Sequence, residues 1–318
     1  MFNLLKRFTS KKELDLSVFH PDTPVVPNQA VDVEDPEVYR REYFPQDSAI
    51  SWLDRENAPE LVRELLKQGR LNPADAKLCR QWIDDGYVII KNLFSEERLD
   101  STWAAYEKAI TDGTITPEPA CKVNHLPGRN LNTHFQVAEI AALLRDRQIS
   151  SIISMLLGAK CLPFQTITGH NGSQQLEHSD AIHMTTYPQD YLAATWTAME
   201  DIDPDSGPLV YYPGSHRLPY FLSQEADISV REFRERQYAP YLEKYEPGIQ
   251  KIIQDNNLQA KYFHAQKGDV LIWHSNLLHG GSQRKNMQLS RKALVCHYFA
   301  EGCICYHDLA ASLASVHY

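Results

Sequence analysis

The residues of this chain best suited to chemistry are the triplet His178-Ser179-Asp180, a distant His279 and, further on, Arg291. In an extended segment positions i and i+2 project to one side, so His178 and Asp180 can grip a single ion without unusual backbone. A neutral imidazole beside a carboxylate suits a divalent first-row metal, and His279 adds the third corner of a triangular face. Two histidines and one carboxylate, with the remaining coordination positions open, is the arrangement of non-haem Fe(II) oxygenases. Arg291 carries a planar fork that can hold a carboxylate by two parallel hydrogen bonds, and so fits an acidic co-substrate. His-x-Asp alone is a weak signal. Its weight comes from the elements around it.

His279 has competitors, because the chain holds thirteen histidines. His274 lies on the same segment, and His183, His216 and His297 are near other proposed site elements; each could equally be a hydrogen-bonded structural residue or a substrate contact. Gly280-Gly281 favours His279, since glycines let a backbone pass close to a cofactor. Arg284, Lys285 and Lys292 are expected to face solvent, or else to meet an anionic substrate.

These side chains need a scaffold. Prolines at 21, 24, 27, 36 and 45 give residues 1–70 the texture of an extended arm, with a short helix near 58–68. A compact domain, 71–318, opens at Asn72-Pro73, an N-cap followed by proline at the first helical position. Helices are expected to Asp85, from Ser95 towards Ile110, and over 137–145 and 149–157. A buried strand is expected at 87–90. From 161 the texture changes to short strands, with candidates at 161–168, 182–187, 192–199, 209–212, 269–273 and 293–299, rich in aromatic and β-branched residues. The expected fold is α+β with a mainly β core: a double-sheet jelly roll buttressed by an N-terminal helical layer. A charged, mostly helical insertion over 216–263 has the character of a lid or substrate-selecting element.

Composition narrows the function classes. The 318 residues are 43% hydrophobic and 23% charged, ordinary for a globular protein. A net charge of −9 argues against a nucleic-acid partner. No apolar run is long enough for an integral membrane segment. The first twelve residues are either a basic amphipathic turn able to touch a membrane surface or a frayed terminus. Six cysteines without scaffold spacing and no export signal point to a reducing cytoplasm.

Several motifs together carry a resemblance. Thr195-Trp196-Thr197-Ala198-Met199-Glu200, Ser206-Gly207-Pro208-Leu209, Pro213-Gly214-Ser215-His216, Gly268-Asp269-Val270-Leu271, His279-Gly280-Gly281-Ser282 and Arg291-Lys292-Ala293 resemble the phytanoyl-CoA dioxygenase family, over roughly 71–307. The resemblance implies a cupin-like double-stranded β-helix that binds Fe(II) and 2-oxoglutarate and consumes O2, with ascorbate as reductant in vitro. It places His178, Asp180 and His279 on the iron ligands, Arg291 on the distal carboxylate of 2-oxoglutarate, and Trp196 on the wall of that pocket. Ser282, and Gln165 or Thr168 on the preceding strand, are further candidates for the pocket. Trp196 and the Pro-Gly-Ser-His turn also have a purely structural reading, as barrel filler and tight turn. Asp180 is retained, which separates the chain from the halide-binding variant.

The implied reaction hydroxylates a C–H bond and releases succinate and CO2; desaturation, epoxidation or ring closure draw on the same chemistry. The loop 169–175 with His170, the pair His183 and Met184, and the insertion are expected to meet the substrate, and their polar and aromatic residues suit a small polar metabolite at least as readily as a long acyl chain. Two other classes stand beside this one: a cupin-like metal enzyme, such as a zinc hydrolase, that does not use 2-oxoglutarate, and a catalytically silent binding protein of the same fold.

Overall fold

A computed structural model describes residues 41, 44, 50–120 and 127–314. The amphipathic start, the proline-rich part of the arm and Cys121 lie outside the described residues. In chain order the helices are α1 (Ala58–Lys67), α2 (Pro73–Asp85), α3 (Glu96–Thr111), α4 (Ala138–Leu144), α5 (Arg147–Leu157), α6 (Val230–Arg236) and α7 (Glu246–Asp255). The strands are β1 (Tyr87–Ile90), β2 (Asn130–Leu131), β3 (Cys161–Gly169), β4 (Thr185–Tyr187), β5 (Leu192–Ala198), β6 (Leu209–Tyr211), β7 (Lys261–Phe263), β8 (Val270–His274), β9 (His279–Gly281), β10 (Ala293–Ala300), β11 (Ile304–His307) and β12 (Ser312–Leu313).

Local chemistry fixes the helix starts. Asn72 accepts a hydrogen bond from the Asp75 backbone N–H at 2.9 Å, and Ser95 caps α3 through the Arg98 N–H. Asp146 does the same for α5. Trp52 and Leu53, within the expected arm, are instead buried with Val62 and Leu65 of α1 in the cluster that holds α2, α3 and α5.

The strands form one large antiparallel sheet, in the order β1-β8-β5-β10-β3-β2, and two small ones, β7-β6-β9 and β12-β11-β4. This is the jelly roll. Register decides which side chains the large sheet turns inward. Tyr87, Trp273, Ala194 and His297 pair across neighbouring strands, as do Leu271, Trp196 and Val295. Paired residues share a face, and most of these cluster with Leu209, Tyr211 and Phe263 of the small β6 sheet inside the roll. The alternate set, Val88, Ile272, Ala193, Leu294 and Cys296, packs on the helices. The helical layer thus covers one face of the large sheet and leaves the other to line the interior. Asp269 pins β8 to the segment after β1, accepting from Lys91 Nζ at 2.6 Å and Asn92 N–H at 3.1 Å.

Candidate active site

His178 and His279 stand directly opposite each other. Each donates its backbone N–H to the other's carbonyl at 2.9 Å, an antiparallel bridge that aims both rings to one side. Ser179 is extended, and Asp180 begins a 3-10 turn, so the carboxylate comes back to the side of His178. Ligand atoms of His178, Asp180 and His279 all lie within 4.8 Å of one another, and all three residues are buried. Asp180 Oδ1 is 3.5 Å from His279 Nε2 and 4.0 Å from His178 Nε2.

The imidazoles are pre-set as ligands. His178 Nδ1 donates to the Leu176 carbonyl and His279 Nδ1 to the Leu277 carbonyl, both at 2.9 Å. A carbonyl can only accept, so Nδ1 carries a proton and each Nε2 is the atom left towards the centre. Burial, with the neighbouring His279, pushes the His178 imidazole down to about 3, which keeps it neutral. Burial alone would raise the Asp180 carboxyl, but His279, His297 and His178 together hold it below the usual carboxylate range.

The second carboxylate oxygen is already engaged. Trp273 Nε1–H donates to Asp180 Oδ2 at 2.8 Å, with His297 Nε2 at 3.6 Å from the same atom. That leaves Oδ1 as the ligand atom. Nothing in the local sequence marks Trp273 or His297 for this role; the inward face of β8 and β10 is the signal that identifies them. The insertion also reaches the centre. A π-helical turn, Tyr241–Tyr245, brings the Tyr245 hydroxyl to accept from the Ser179 N–H at 3.1 Å. Gln250 of α7 donates to Glu177 at 2.7 Å, beside His178.

Arg291 is fully enclosed. Its Nη1 donates to the Gly207 carbonyl at 3.1 Å, its guanidinium lies 5.6 Å from the Trp196 ring, and its Nε has no partner. No carboxylate among the described residues lies within 4 Å of it. Burial, then Arg129 and Arg284, lower it to about 10. A buried cation without an anion is costly unless one is bound. Trp196 therefore both fills the roll and faces Arg291. Ser282 lies in the same corner, its hydroxyl donating to the Pro208 carbonyl at 2.8 Å. Gln165 pairs with His297, which turns it inward, and its Oε1 is buried without a partner.

Other expected residues fall elsewhere. Thr168 pairs with Leu294 on the helix-facing side and bonds Thr133 at 2.7 Å, so strand alternation removes it from the pocket. His170 is exposed, its ring 6.0 Å from Trp103, and does not reach the centre. Met184 packs against Phe164, Leu192, Phe299 and Cys305. His183 does lie beside the site, 5.8 Å from the His178 ring and 5.2 Å from Tyr241. Arg284, expected in solvent, is buried and donates to the carbonyls of Met287 and Leu289, stitching its own loop together. The glycines after His279 serve the protein's own chain rather than a cofactor: a Cβ on Gly280 would meet the Gln175 carbonyl at 2.8 Å, and one on Gly281 the Gln174 nitrogen at 2.8 Å. Ser215 of the Pro-Gly-Ser-His turn accepts from the Leu278 N–H at 2.8 Å, a structural role that steadies the entry to β9.

Comparison with known proteins bears on what this arrangement does. The profile of the phytanoyl-CoA dioxygenase (PhyH) family matches residues 82–293, a span that contains His178, Asp180, His279 and Arg291. The chain belongs to the phytanoyl-CoA dioxygenase family. It is 26% identical to the peroxisomal phytanoyl-CoA dioxygenase of Rattus norvegicus over 243 residues, 69% of this chain and 67% of that one. It is 25% identical to the ectoine dioxygenase of Bordetella parapertussis over 258 residues, 74% of this chain and 80% of that one. In fold it is similar to the non-heme alpha ketoglutarate dependent carbocyclase SnoK from nogalamycin biosynthesis, with a TM-score of 0.57 and 17% identity over 76% of this chain and 92% of that one. It is also similar to EctD from S. alaskensis with 2-oxoglutarate and 5-hydroxyectoine, with a TM-score of 0.53 and 18% identity over 72% of this chain and 78% of that one. No helix among the described residues is long and apolar enough to cross a membrane.

Proposed function

We propose that this member of the phytanoyl-CoA dioxygenase family is an Fe(II)- and 2-oxoglutarate-dependent dioxygenase that hydroxylates a C–H bond of a small polar metabolite. One observation carries the reading: two imidazoles and a carboxylate converge with their free ligand atoms together, in a roll that also encloses an arginine lacking an anion. The donor set fits iron, since a two-histidine, one-carboxylate face leaves positions open. The unpartnered Arg291 fork fits the far carboxylate of a dicarboxylic acid.

Bound together, iron and 2-oxoglutarate supply the oxidising chemistry, turning O2 and 2-oxoglutarate into CO2, succinate and an oxygen atom inserted into the substrate. The protein's share is placement. His178, Asp180 and His279 would hold the metal, with Trp273 fixing Asp180 so that it offers one oxygen. Arg291 would hold the co-substrate against Trp196. The apolar interior, Leu271, Phe263 and Tyr211 among it, excludes water from the reaction. His183 and the tyrosines of the insertion line the side from which a substrate would approach. The five cysteines of the described residues are all free, which fits a reducing compartment.

The direct test is turnover without added substrate. Purified protein with Fe(II), ascorbate and 2-oxoglutarate should release succinate slowly, and His279→Ala should not. A zinc hydrolase or a silent binding protein would release none, so a flat trace from the unmodified protein would end this reading.

A further inference from the structure

Away from the metal ligands, two largely buried acids meet where the arm joins the core. Ser51 donates to the Leu157 carbonyl at 3.3 Å and Trp52 Nε1–H to the Met155 carbonyl at 2.8 Å, which seats this segment on the last turn of α5. Asp54 follows and reaches the end of β8. Its Oδ1 and the Oδ1 of Asp190, from the loop between β4 and β5, each lie 3.7 Å from His274 Nε2. The two carboxyl side chains are 14% exposed and the imidazole 1%, so water screens them little. His274 cannot neutralise them. Its Nδ1 accepts from the Asn276 backbone N–H at 3.0 Å, so the ring's one proton is on Nε2 and a second would break that bond. A single N–H therefore faces two acids.

The other neighbours do not supply the missing charge. Tyr220, at the start of the insertion, donates its hydroxyl to Asp190 Oδ1 at 2.6 Å, while Asp54 Oδ2 has no partner. No Lys or Arg nitrogen among the described residues lies within 4 Å of either carboxyl. Arg41 faces Asp190 from farther off and pairs with Glu225 at 3.1 Å. Arg55, near Tyr191, donates to the Ile50 carbonyl at 3.2 Å. Burial keeps Tyr191 neutral beside both acids, as it does Cys303 behind it and His216, whose ring is 5.6 Å from that of His274. Two ionised carboxyls here would be two buried charges of one sign. A metal ion does not resolve this, because among the described residues only His178, Asp180 and His279 bring three ligand atoms within 4.8 Å of one another. A proton does. Burial, then Asp190, raise the Asp54 carboxyl well above its ordinary range, and burial raises that of Asp190.

We propose that Asp54 and Asp190 share one proton at neutral pH, and that this proton is the clasp by which the arm docks on the turn leading to His279. The same turn holds the insertion, since Asn276 Nδ2 donates to the carbonyls of His216 and Leu218 at 3.0 and 2.9 Å. Undocking the arm gives the proton to solvent, because an exposed aspartic acid ionises at about 3.9. Docking is therefore tightest below that value and weakens as pH rises towards the raised value of the docked pair. Opening should increase by about tenfold per pH unit across that window and level off above it. The sign is opposite to that of the buried neutral imidazoles His216 and His274, so a local readout is needed rather than global unfolding.

The test is hydrogen exchange of the full chain between pH 5 and pH 9, read by mass spectrometry on the peptide 50–57 and corrected for the intrinsic rate. Exchange of the unmodified protein should accelerate with pH beyond that correction. Asp54→Asn, which is neutral throughout, should stay docked and give a flat profile. Asp190→Asn removes the neighbouring charge and should move the levelling-off to lower pH. Infrared difference spectra at pH 7, unmodified protein minus Asp54→Asn, should show the carbonyl stretch of a protonated carboxyl. A flat profile for the unmodified protein, or a pH dependence that survives Asp54→Asn, would overturn the proposal. So would an Asp190→Asn profile identical to that of the unmodified protein, a result that does not require Asp54→Asn to fold, or the absence of the protonated carboxyl band.

Discussion

Replacing Trp273 with Phe isolates one hydrogen bond of the metal centre. The indole N–H donates to Asp180 Oδ2 at 2.8 Å, and both residues are buried, so no water can take its place without opening the roll. A hydrogen bond to a buried carboxylate contributes about 1.5–3 kcal/mol. Loss of such an outer partner typically lowers metal affinity by about 10- to 100-fold, which corresponds to about 1.4–2.7 kcal/mol. The two ranges overlap, so Trp273→Phe should weaken Fe(II) binding by about one to two orders of magnitude. The smaller ring also leaves a void, but the cost stays below the about 3–5 kcal/mol of truncating a buried Trp to Ala. The assay is succinate release as a function of Fe(II) concentration, alongside thermal melting of the metal-free protein to separate the two effects. Retention of the original Fe(II) dependence in a folded Trp273→Phe protein would refute the idea that this indole holds Asp180 in its one-oxygen geometry.

Arg291→Met should abolish stabilisation by 2-oxoglutarate while raising the melting temperature of the ligand-free protein, because it removes a buried charge that has no counter-ion, a gain of at least about 1 kcal/mol; differential scanning calorimetry reads both. Tyr245→Phe leaves the Ser179 N–H without its acceptor, and should cost about 1–3 kcal/mol in denaturant unfolding and raise the Fe(II) requirement. Acid should destabilise the metal-free protein. Burial, for His216 joined by the neighbouring His274, depresses both imidazoles to about 3. The unfolded chain therefore binds protons that the folded one refuses. Their contribution is full above the unfolded value near 6.5 and is lost as pH falls from there towards 3, at about 1.4 kcal/mol per pH unit for each group. Urea unfolding at pH 7 and pH 4.5 checks this, and His274→Gln should flatten the slope.

The metal face was legible because its chemistry is local: His178 and Asp180 are two residues apart, and His279 sits in a motif whose glycines mark a close passage of backbone. Arg291 was legible from its place before an apolar strand. What could not be read was parity. Gln165 and Thr168 lie on the same strand three residues apart, and strand alternation necessarily puts them on opposite faces; only the pairing of β3 with β10 says which one looks inward. Trp273 reads in sequence as one more apolar core residue, and its N–H acquires a role only when β8 lies beside β5 and faces the turn at Asp180. Arg284 failed for another reason: a charged side chain in a loop is usually solvated, but here two carbonyls of its own loop and an Asn171 oxygen at 3.3 Å surround the guanidinium.

The hydroxyl of Tyr245 and the amide of Gln250 tie the insertion to the two residues flanking His178. A chimera that exchanged this helical segment for a relative's, in order to transplant substrate preference, would thereby loosen the iron site as well. Such grafts should succeed only when they carry both contacts with them, so selectivity and metal retention in this scaffold have to be redesigned as one unit.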